Sequence, residues 1–175
     1  MKRVSLFMLL TCLLPVSPLP SAAADTSVRR GRSDLPIIIK SNELTADNKG
    51  KTAIFSGKVV AKQGEVTIFS DKLIVNYAEK NGDVDRVEAI GNVRIIQLDR
   101  TGIASHAVYE SRVGRVTLSG SPNPKVMRGT DSVSGKIITY YVDDDKSIVT
   151  GGGDPSSRVE AVINPPARKA HAGEQ

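Results

Sequence analysis

From residue 36 onward, apolar and polar side chains alternate in short runs such as Val66-Thr67-Ile68-Phe69 and Leu73-Ile74-Val75. A period of two sends successive side chains to opposite faces of an extended chain, so these runs predict β-strands with one buried face. One very small residue interrupts the runs at near-regular intervals: Ser41, Gly57, Ser70, Gly91, Ser105, Gly120, Gly135 and Gly151. Turn signals fall between the interruptions, at Asn48-Lys49-Gly50, Gln63-Gly64, Asn81-Gly82, Arg100-Thr101-Gly102, Val113-Gly114, Arg128-Gly129, Asp143-Asp144-Asp145 and Asp154-Pro155. Asn81-Gly82 is the strongest of these, because a type I′ hairpin turn needs positive φ at both central residues. The spacing predicts strands over 37–47, 52–62, 65–78, 84–98, 103–111, 115–127, 131–142, 146–151 and 157–163. No stretch places apolar residues at i, i+3, i+4 and i+7 for three turns, so helix is expected nowhere except as a short turn near 26–33. The simplest object with this rhythm is an all-β meander of about eight long strands, each creased in its middle.

If neighbouring strands pair as hairpins, their midpoints line up and a row of Gly and Ser crosses the sheet. Glycine marks bends, bulges and close backbone approach in strands, so such a row lets the sheet fold along one line into a trough with two facing half-sheets. The side chains flanking the creases at alternating positions are Ile37, Ile39, Phe55, Ile68, Leu73, Val75, Ile96, Leu118, Ile138 and Tyr140. Facing sheets meet across about 10 Å and need large side chains to fill the gap. After residue 24 the chain has only Phe55 and Phe69, four tyrosines and no tryptophan. The pattern is therefore compatible with a space for an apolar guest, with a core closed by Ile, Leu and Val, and with scattered glycines in an ordinary β-sandwich.

The first 24 residues have a different character. Lys2 and Arg3 precede the apolar run Val4–Leu14, and Ser21-Ala22-Ala23-Ala24 offers a small-residue cleavage site before Asp25. This is the layout of a secretory signal peptide, and the run falls short of the roughly 20 apolar residues of a membrane span. Cys12 invites a lipoprotein reading, which its Thr11 neighbour and the continuing apolar run disfavour. Without the leader, no cysteine is left for a disulfide framework. Subtracting Lys2 and Arg3 leaves 22 basic and 19 acidic residues, a net +3. Arg29, Arg30 and Arg32 cluster near one end, and Arg168 and Lys169 near the other, in flanks expected to be flexible. The body between them is near neutral, which argues against a nucleic-acid surface. The expected organisation is a leader at 1–24, a flexible segment at 25–35, one domain at 36–165 and a flexible tail at 166–175.

Catalytic groupings are missing from the sequence. His106 and His171 are the only histidines, too few for a His-rich metal site or relay chemistry. Asp143-Asp144-Asp145 lacks the spacing of a calcium loop and reads as a turn, while Asp83 and Asp85 sit beside a hairpin as solvated carboxylates. Gly50-Lys51-Thr52 is not a phosphate loop, because Thr45 stands where the required glycine belongs. No metal and no cofactor is expected, and the chain reads as a non-enzyme.

Several segments in order carry a resemblance: Pro36-Ile37-Ile38-Ile39-Lys40-Ser41-Asn42, Ala53-Ile54-Phe55-Ser56-Gly57-Lys58-Val59, and the run from Gln63 to Leu73. Ala89-Ile90-Gly91-Asn92-Val93, Ala104-Ser105-His106-Ala107-Val108-Tyr109, Leu118-Ser119-Gly120-Ser121-Pro122 and Gly135-Lys136-Ile137-Ile138-Thr139-Tyr140-Tyr141 continue it. Together they resemble the LptA/OstA-like periplasmic lipopolysaccharide-transport bridge proteins, over roughly residues 36 to 150. His106 stands where that family often has Asp, and Asn42 stands at the corresponding place in the first repeat. The resemblance implies a twisted open β-jellyroll of bent antiparallel strands, V-shaped in section and open at both ends. It also implies a periplasmic protein that binds lipopolysaccharide through its lipid A acyl chains. End-to-end stacking is implied too, with itself and with related domains at the inner and outer membranes. Carried over by position, the groove lining is Ile37, Ile39, Phe55, Ile68, Leu73, Val75, Ile96, Leu118 and Ile138, with Lys58, Lys62, Lys72 and Arg94 as rim contacts for phosphate or acidic sugar.

Exposing an acyl chain of about a dozen carbons to water costs on the order of 10 kcal/mol at about 0.8 kcal/mol per methylene, so a continuous apolar groove suits a carrier. A groove supplies no direction, and any energy source must lie in a partner. A tethered or outer-membrane-assembly module of the same fold calls for a retained anchor or a large barrel, neither of which these 175 residues display. An exported structural, adhesive or glycan-binding β-domain with a closed core is the remaining alternative, although glycan sites favour stacked aromatics.

Overall fold

The computed structural model describes residues 35–79, 82–153 and 158–165. The leader, residues 25–34, the Asn81 half of the hairpin signal, the Asp154-Pro155 turn signal and the C-terminal tail lie outside them. Twelve strands are present among the described residues: β1 (Ile38–Lys40), β2 (Glu43–Asp47), β3 (Thr52–Gln63), β4 (Val66–Tyr77), β5 (Val84–Gln97), β6 (Arg100–Glu110), β7 (Arg115–Ser119), β8 (Lys125–Arg128), β9 (Asp131–Ser134), β10 (Ile137–Tyr141), β11 (Lys146–Thr150) and β12 (Glu160–Val162). A single 3₁₀ turn, Ser111–Val113, ends in Gly114 with φ 55° and is the one helical element among the described residues.

All pairings are antiparallel, and they divide into two half-sheets. The first runs β1-β3-β4-β5-β6-β8-β9-β12, and the second runs β2-β3-β4-β5-β6-β7-β10-β11. Strands β3 to β6 belong to both, one half of each strand in either sheet, whereas the outer long strands are broken in two. Counted as long strands, β1 with β2, β7 with β8, β9 with β10 and β11 with β12 join β3 to β6 in an eight-membered meander. The segment expected at 37–47 is thus split after Lys40, that at 115–127 after Ser119, and that at 131–142 after Ser134. The ladder does not close into a barrel, so the fold is a twisted open β-jellyroll with edges at β1 and β2 on one end and β11 and β12 on the other.

The fold line follows the small residues. The register shifts between Ser56 and Val59, between Phe69 and Lys72 and between Ile90 and Val93, which are the places of Gly57, Ser70 and Gly91. Ser105 lies where β6 exchanges its partner β8 for β7, and Gly120, Gly135 and Gly151 follow the ends of β7, β9 and β11. A side chain from one strand lies against the glycine of the next along this line. An ideal Cβ on Gly57 would stand 2.7 Å from Asn42 Nδ2, and one on Gly91 or Gly120 would collide with Asp71 or Ser105. Asn92, itself at φ 46°, donates from Nδ2 to Asp71 Oδ2 at 2.8 Å and ties the crease together between β4 and β5.

One turn expectation fails. Arg100-Thr101-Gly102 lies inside β6, and the chain reverses at Leu98-Asp99, with Leu98 at φ 54°. Gly102 serves packing between the half-sheets: a Cβ there would stand 3.2 Å from Leu118 Cδ1.

Candidate groove between the half-sheets

Cross-strand register carries one apolar row through the entire second half-sheet: Leu44, Phe55, Leu73, Ala89, Ala107, Leu118, Ile138 and Val149 are successive partners. A matching row crosses the first: Ile39, Ala61, Ile68, Ile95, Gly102, Val126, Val133 and Ala161. Side chains directly opposite on paired strands share a face, so each half-sheet presents an unbroken apolar stripe from one edge to the other. The stripes face each other across the crease. Leu73, Ala89, Ala107, Leu118 and Ile138 from one pack in a single buried cluster with Ala61 of the other, with Ile39, Ile68, Ile95 and Val126 against it.

Residue size follows the V. Beside the crease, where the arms meet, stand Val59, Ser70, Val93 and Ala104, all buried. Ser70 Oγ has no hydrogen-bond partner there. Farther out, at the β2 end, the second half-sheet opens into a cleft of about 440 Å³ lined by Leu44, Ala46, Ala53, Phe55 and Tyr77, with Asp47, Asn48 and Lys51 at its margin.

Near the other end, polar groups join the two arms at the tips farthest from the crease. Arg100, at the start of β6 in the first half-sheet, reaches Asp145 in the β10–β11 turn of the second, with Nη1 3.4 Å from Oδ1. Tyr140 donates its hydroxyl to the same oxygen at 3.0 Å. Burial and this hydrogen bond to a carboxylate raise the Tyr140 phenol above its ordinary range. Arg128, the cross-strand partner of Arg100, is held by Asp99 at 2.7 Å, and that guanidinium keeps the Asp99 carboxyl below its usual range. Two arginines that would repel side by side thus each have a carboxylate of their own.

The nine residues expected to line the groove separate into four groups. Leu73, Val75, Leu118 and Ile138 are buried, and Ile39, Phe55 and Ile68 are half-buried against them. Ile37 precedes β1 and is 45% exposed. Ile96 is a correction: it pairs with Thr67 and Thr101 on the outer face, and Ile95 takes the inner position because the chain regains alternation from Val93 after the crease. The expected rim cations need the same correction. Lys62, Lys72 and Arg94 alternate with inward-facing Ala61, Leu73 and Val93 and so project from the outer face, and Lys58 occupies the bulge itself at φ 50°. Charged groups that do join or flank the tips of the arms, Arg100 and Arg128, fall in stretches that read as turns in the sequence. Leu44, Ile95 and Val126 were equally hidden, although alternation counted outward from each crease would have found them.

His106 is an outer-face residue, with Nε2 2.7 Å from Glu88 Oε1 and Nδ1 3.4 Å from Ser119 Oγ. Asp85 forms an ion pair with Arg112 at 2.7 Å. Among the described residues no three His, Cys, Asp or Glu side chains gather as a metal site.

Residues 38–146 match the family described as LptA/(LptD N-terminal domain) LPS transport protein. The lipopolysaccharide export system protein LptA of Escherichia coli strain K12 is 27% identical over 169 residues, covering 93% of this chain and 86% of the relative. LptA of Shigella flexneri aligns with the same identity and coverage. The crystal structure of LptH, the LptA-homologous periplasmic component of the lipopolysaccharide transport device of Pseudomonas aeruginosa, shares the fold with a TM-score of 0.67 at 21% identity, covering 78% of this chain and 99% of LptH. A match across more than half of the chain, over the strands that build both apolar stripes, assigns it: this chain belongs to the LptA/LptD N-terminal domain family of lipopolysaccharide transport proteins.

Proposed function

We propose that the chain is a periplasmic bridge protein that binds lipopolysaccharide and carries it between the inner and outer membranes. The observation that carries this reading is the pair of unbroken apolar stripes running from the β1–β2 edge to the β11–β12 edge. A lipid whose acyl chains lie between such stripes stays out of water along the whole path, avoiding a cost on the order of 10 kcal/mol per chain. In this reading residues 1–24 direct export and are removed, and residues 36–165 form the carrier domain. The acyl chains of lipid A enter at the β1–β2 edge, past Leu44 and Phe55 in the cleft, and displace inter-arm contacts of Leu73, Val75, Leu118 and Ile138 as they pass. The groove supplies a path and no chemistry, so the role is non-catalytic.

Edge strands present unpaired backbone groups that another strand can satisfy. We place end-to-end association there, between the β11–β12 edge of one copy and the β1–β2 edge of the next, and with related jellyroll domains of the membrane-bound transport components.

Photo-crosslinking in cells tests the groove. A photoreactive residue at Phe55 or Leu44 is expected to give a lipopolysaccharide adduct, and one at Ile96 or Lys146, on the outer surface, is not. Equal labelling at inner and outer positions, or none at Phe55 and Leu44, would overturn the reading.

A further inference from the structure

The outer faces of the two half-sheets differ in how they treat charge. On the second, the arginines and His106 are matched by carboxylates, Arg86 and His106 with Glu88, Arg115 with Glu110 and Arg112 with Asp85, while Lys72 beside the crease and Lys146 on the edge strand stand outside these pairs. On the first, Lys40, Lys62, Arg94 and Lys125 all project outward, and none forms an ion pair with a described carboxylate. One register row reads Lys40, Val60, Phe69, Arg94, Ile103, Lys125, Ser134 and Glu160. From β1 to β8 this row crosses five strand spacings, about 24 Å at 4.7–4.9 Å each. Among the described residues, carboxylates lie at the borders of this region, with Glu160 on the last strand, Glu65 in the β3–β4 turn, Asp99 in the β5–β6 turn held by Arg128, Asp131 at the start of β9 and Asp71 in the crease accepting from Asn92.

Apolar side chains are exposed between these cations. Ile38 is 57% exposed and Ile103 43%, Val162 on β12 beyond Lys125 is exposed as well, and Arg94 lies over the Phe69 ring at 4.3 Å from its centroid. Neither stripe of the groove uses these residues, because they occupy the opposite face of the same strands. Long basic side chains set among short aliphatic ones suit a surface that is anionic at its boundary and apolar just beneath it: the cations remain at phosphate level while the aliphatic groups enter the acyl boundary. A uniformly acidic protein would leave the exposed isoleucines without a partner.

We propose that the outer face of the first half-sheet docks the protein on an anionic phospholipid bilayer, independently of any lipid in the groove. Each Lys or Arg near an anionic membrane surface contributes about a fivefold factor to partitioning. The triple variant K40Q/R94Q/K125Q is therefore expected to lower partitioning onto vesicles about 100-fold.

The test is flotation of the chain without its leader, residues 25–175, with vesicles of phosphatidylglycerol and phosphatidylethanolamine, against pure phosphatidylcholine, at low and at 1 M salt. Binding is expected only to the anionic vesicles, and it should collapse at 1 M salt, where the screening length is about 3 Å. The triple variant should lose it, Ile103→Ser should weaken it severalfold, and the outer-face control Lys146→Gln on the second half-sheet should bind like the parent; circular dichroism checks that each variant is folded. Equal binding to phosphatidylcholine, or an unchanged triple variant, would overturn the proposal, the latter assigning binding to the basic terminal segments. Loss of self-association without loss of vesicle binding in the triple variant would instead assign the face to a second copy. Groove crosslinking from Phe55 reads a different surface, so either result stands apart from the transport function.

Discussion

Gly91 and Gly120 occupy backbone with φ 77° and 116°, and a side chain on either would collide with Asp71 or Ser105. Left-handed backbone costs a branched residue about 1–2 kcal/mol, and forcing volume into a packed site costs about 1–3 kcal/mol more. Gly91→Val and Gly120→Val are each expected to lower unfolding stability by about 3 kcal/mol in urea titration. Gly153→Val, with open space around it and no positive φ, should change it by less than about 0.5 kcal/mol. Gly114 is a poor control for the same comparison, since it is buried at φ 55° and its carbonyl accepts from Val142 at 2.8 Å. Tyr140 gives a second expectation. Its folded-state pKa is raised, so the stability contributed by the bond to Asp145 is present below the ordinary tyrosine value near 10 and is lost as pH rises through the raised one. Tyr140→Phe should cost about 1 kcal/mol at neutral pH. The gap between variant and parent should close above pH ~10, and a constant gap would show that the hydroxyl bond contributes nothing.

Strand β5 carries the sharpest distinction between neighbouring residues. Ile95 belongs to the inner stripe and Ile96 to the outer face, and the alternation is re-phased by the bulge at Gly91-Asn92. Ile95→Ala should destabilise by about 2 kcal/mol or more, and Ile96→Ala by less than about 1 kcal/mol. The reverse order would mean that β5 is slipped by one residue, which turns every side chain of a strand to the other face. The small inner residues have the same origin. Ala104 stands beside the fold line, and Ala61, Ala89 and Ala107 share the inner rows with Ile68, Leu73 and Leu118 in one buried cluster. A reading that searches for large aliphatic lining passes over them, although they are what allows the two stripes to meet.

Across the molecule the two ends differ. The β2 end holds the cleft beside Leu44 and Phe55, and near the other end the arms are joined by Arg100, Asp145 and Tyr140. If copies associate edge to edge, a charge on the terminal strand opposes it, as charged residues do on natural edge strands. Ile148→Asp, on exposed β11, is expected to weaken concentration-dependent assembly about tenfold or more in analytical ultracentrifugation while leaving the monomer folded. Unchanged assembly would remove the β11 edge from the contact. The alternation, the turn chemistry and the row of small residues were enough to call for an eight-membered meander folded along Ser41, Gly57, Ser70, Gly91, Ser105, Gly120, Gly135 and Gly151, because extended-chain geometry and the backbone freedom of glycine are local properties that act wherever those residues stand. Which side chains face inward past each bulge, which halves of the outer strands part company, and which cations reach the tips of the arms depend on cross-strand register and on contacts between distant segments. Local spacing therefore puts Ile96 in the groove and the family resemblance puts Lys72 and Arg94 at its rim, and only the pairing of β4, β5 and β6 turns them outward.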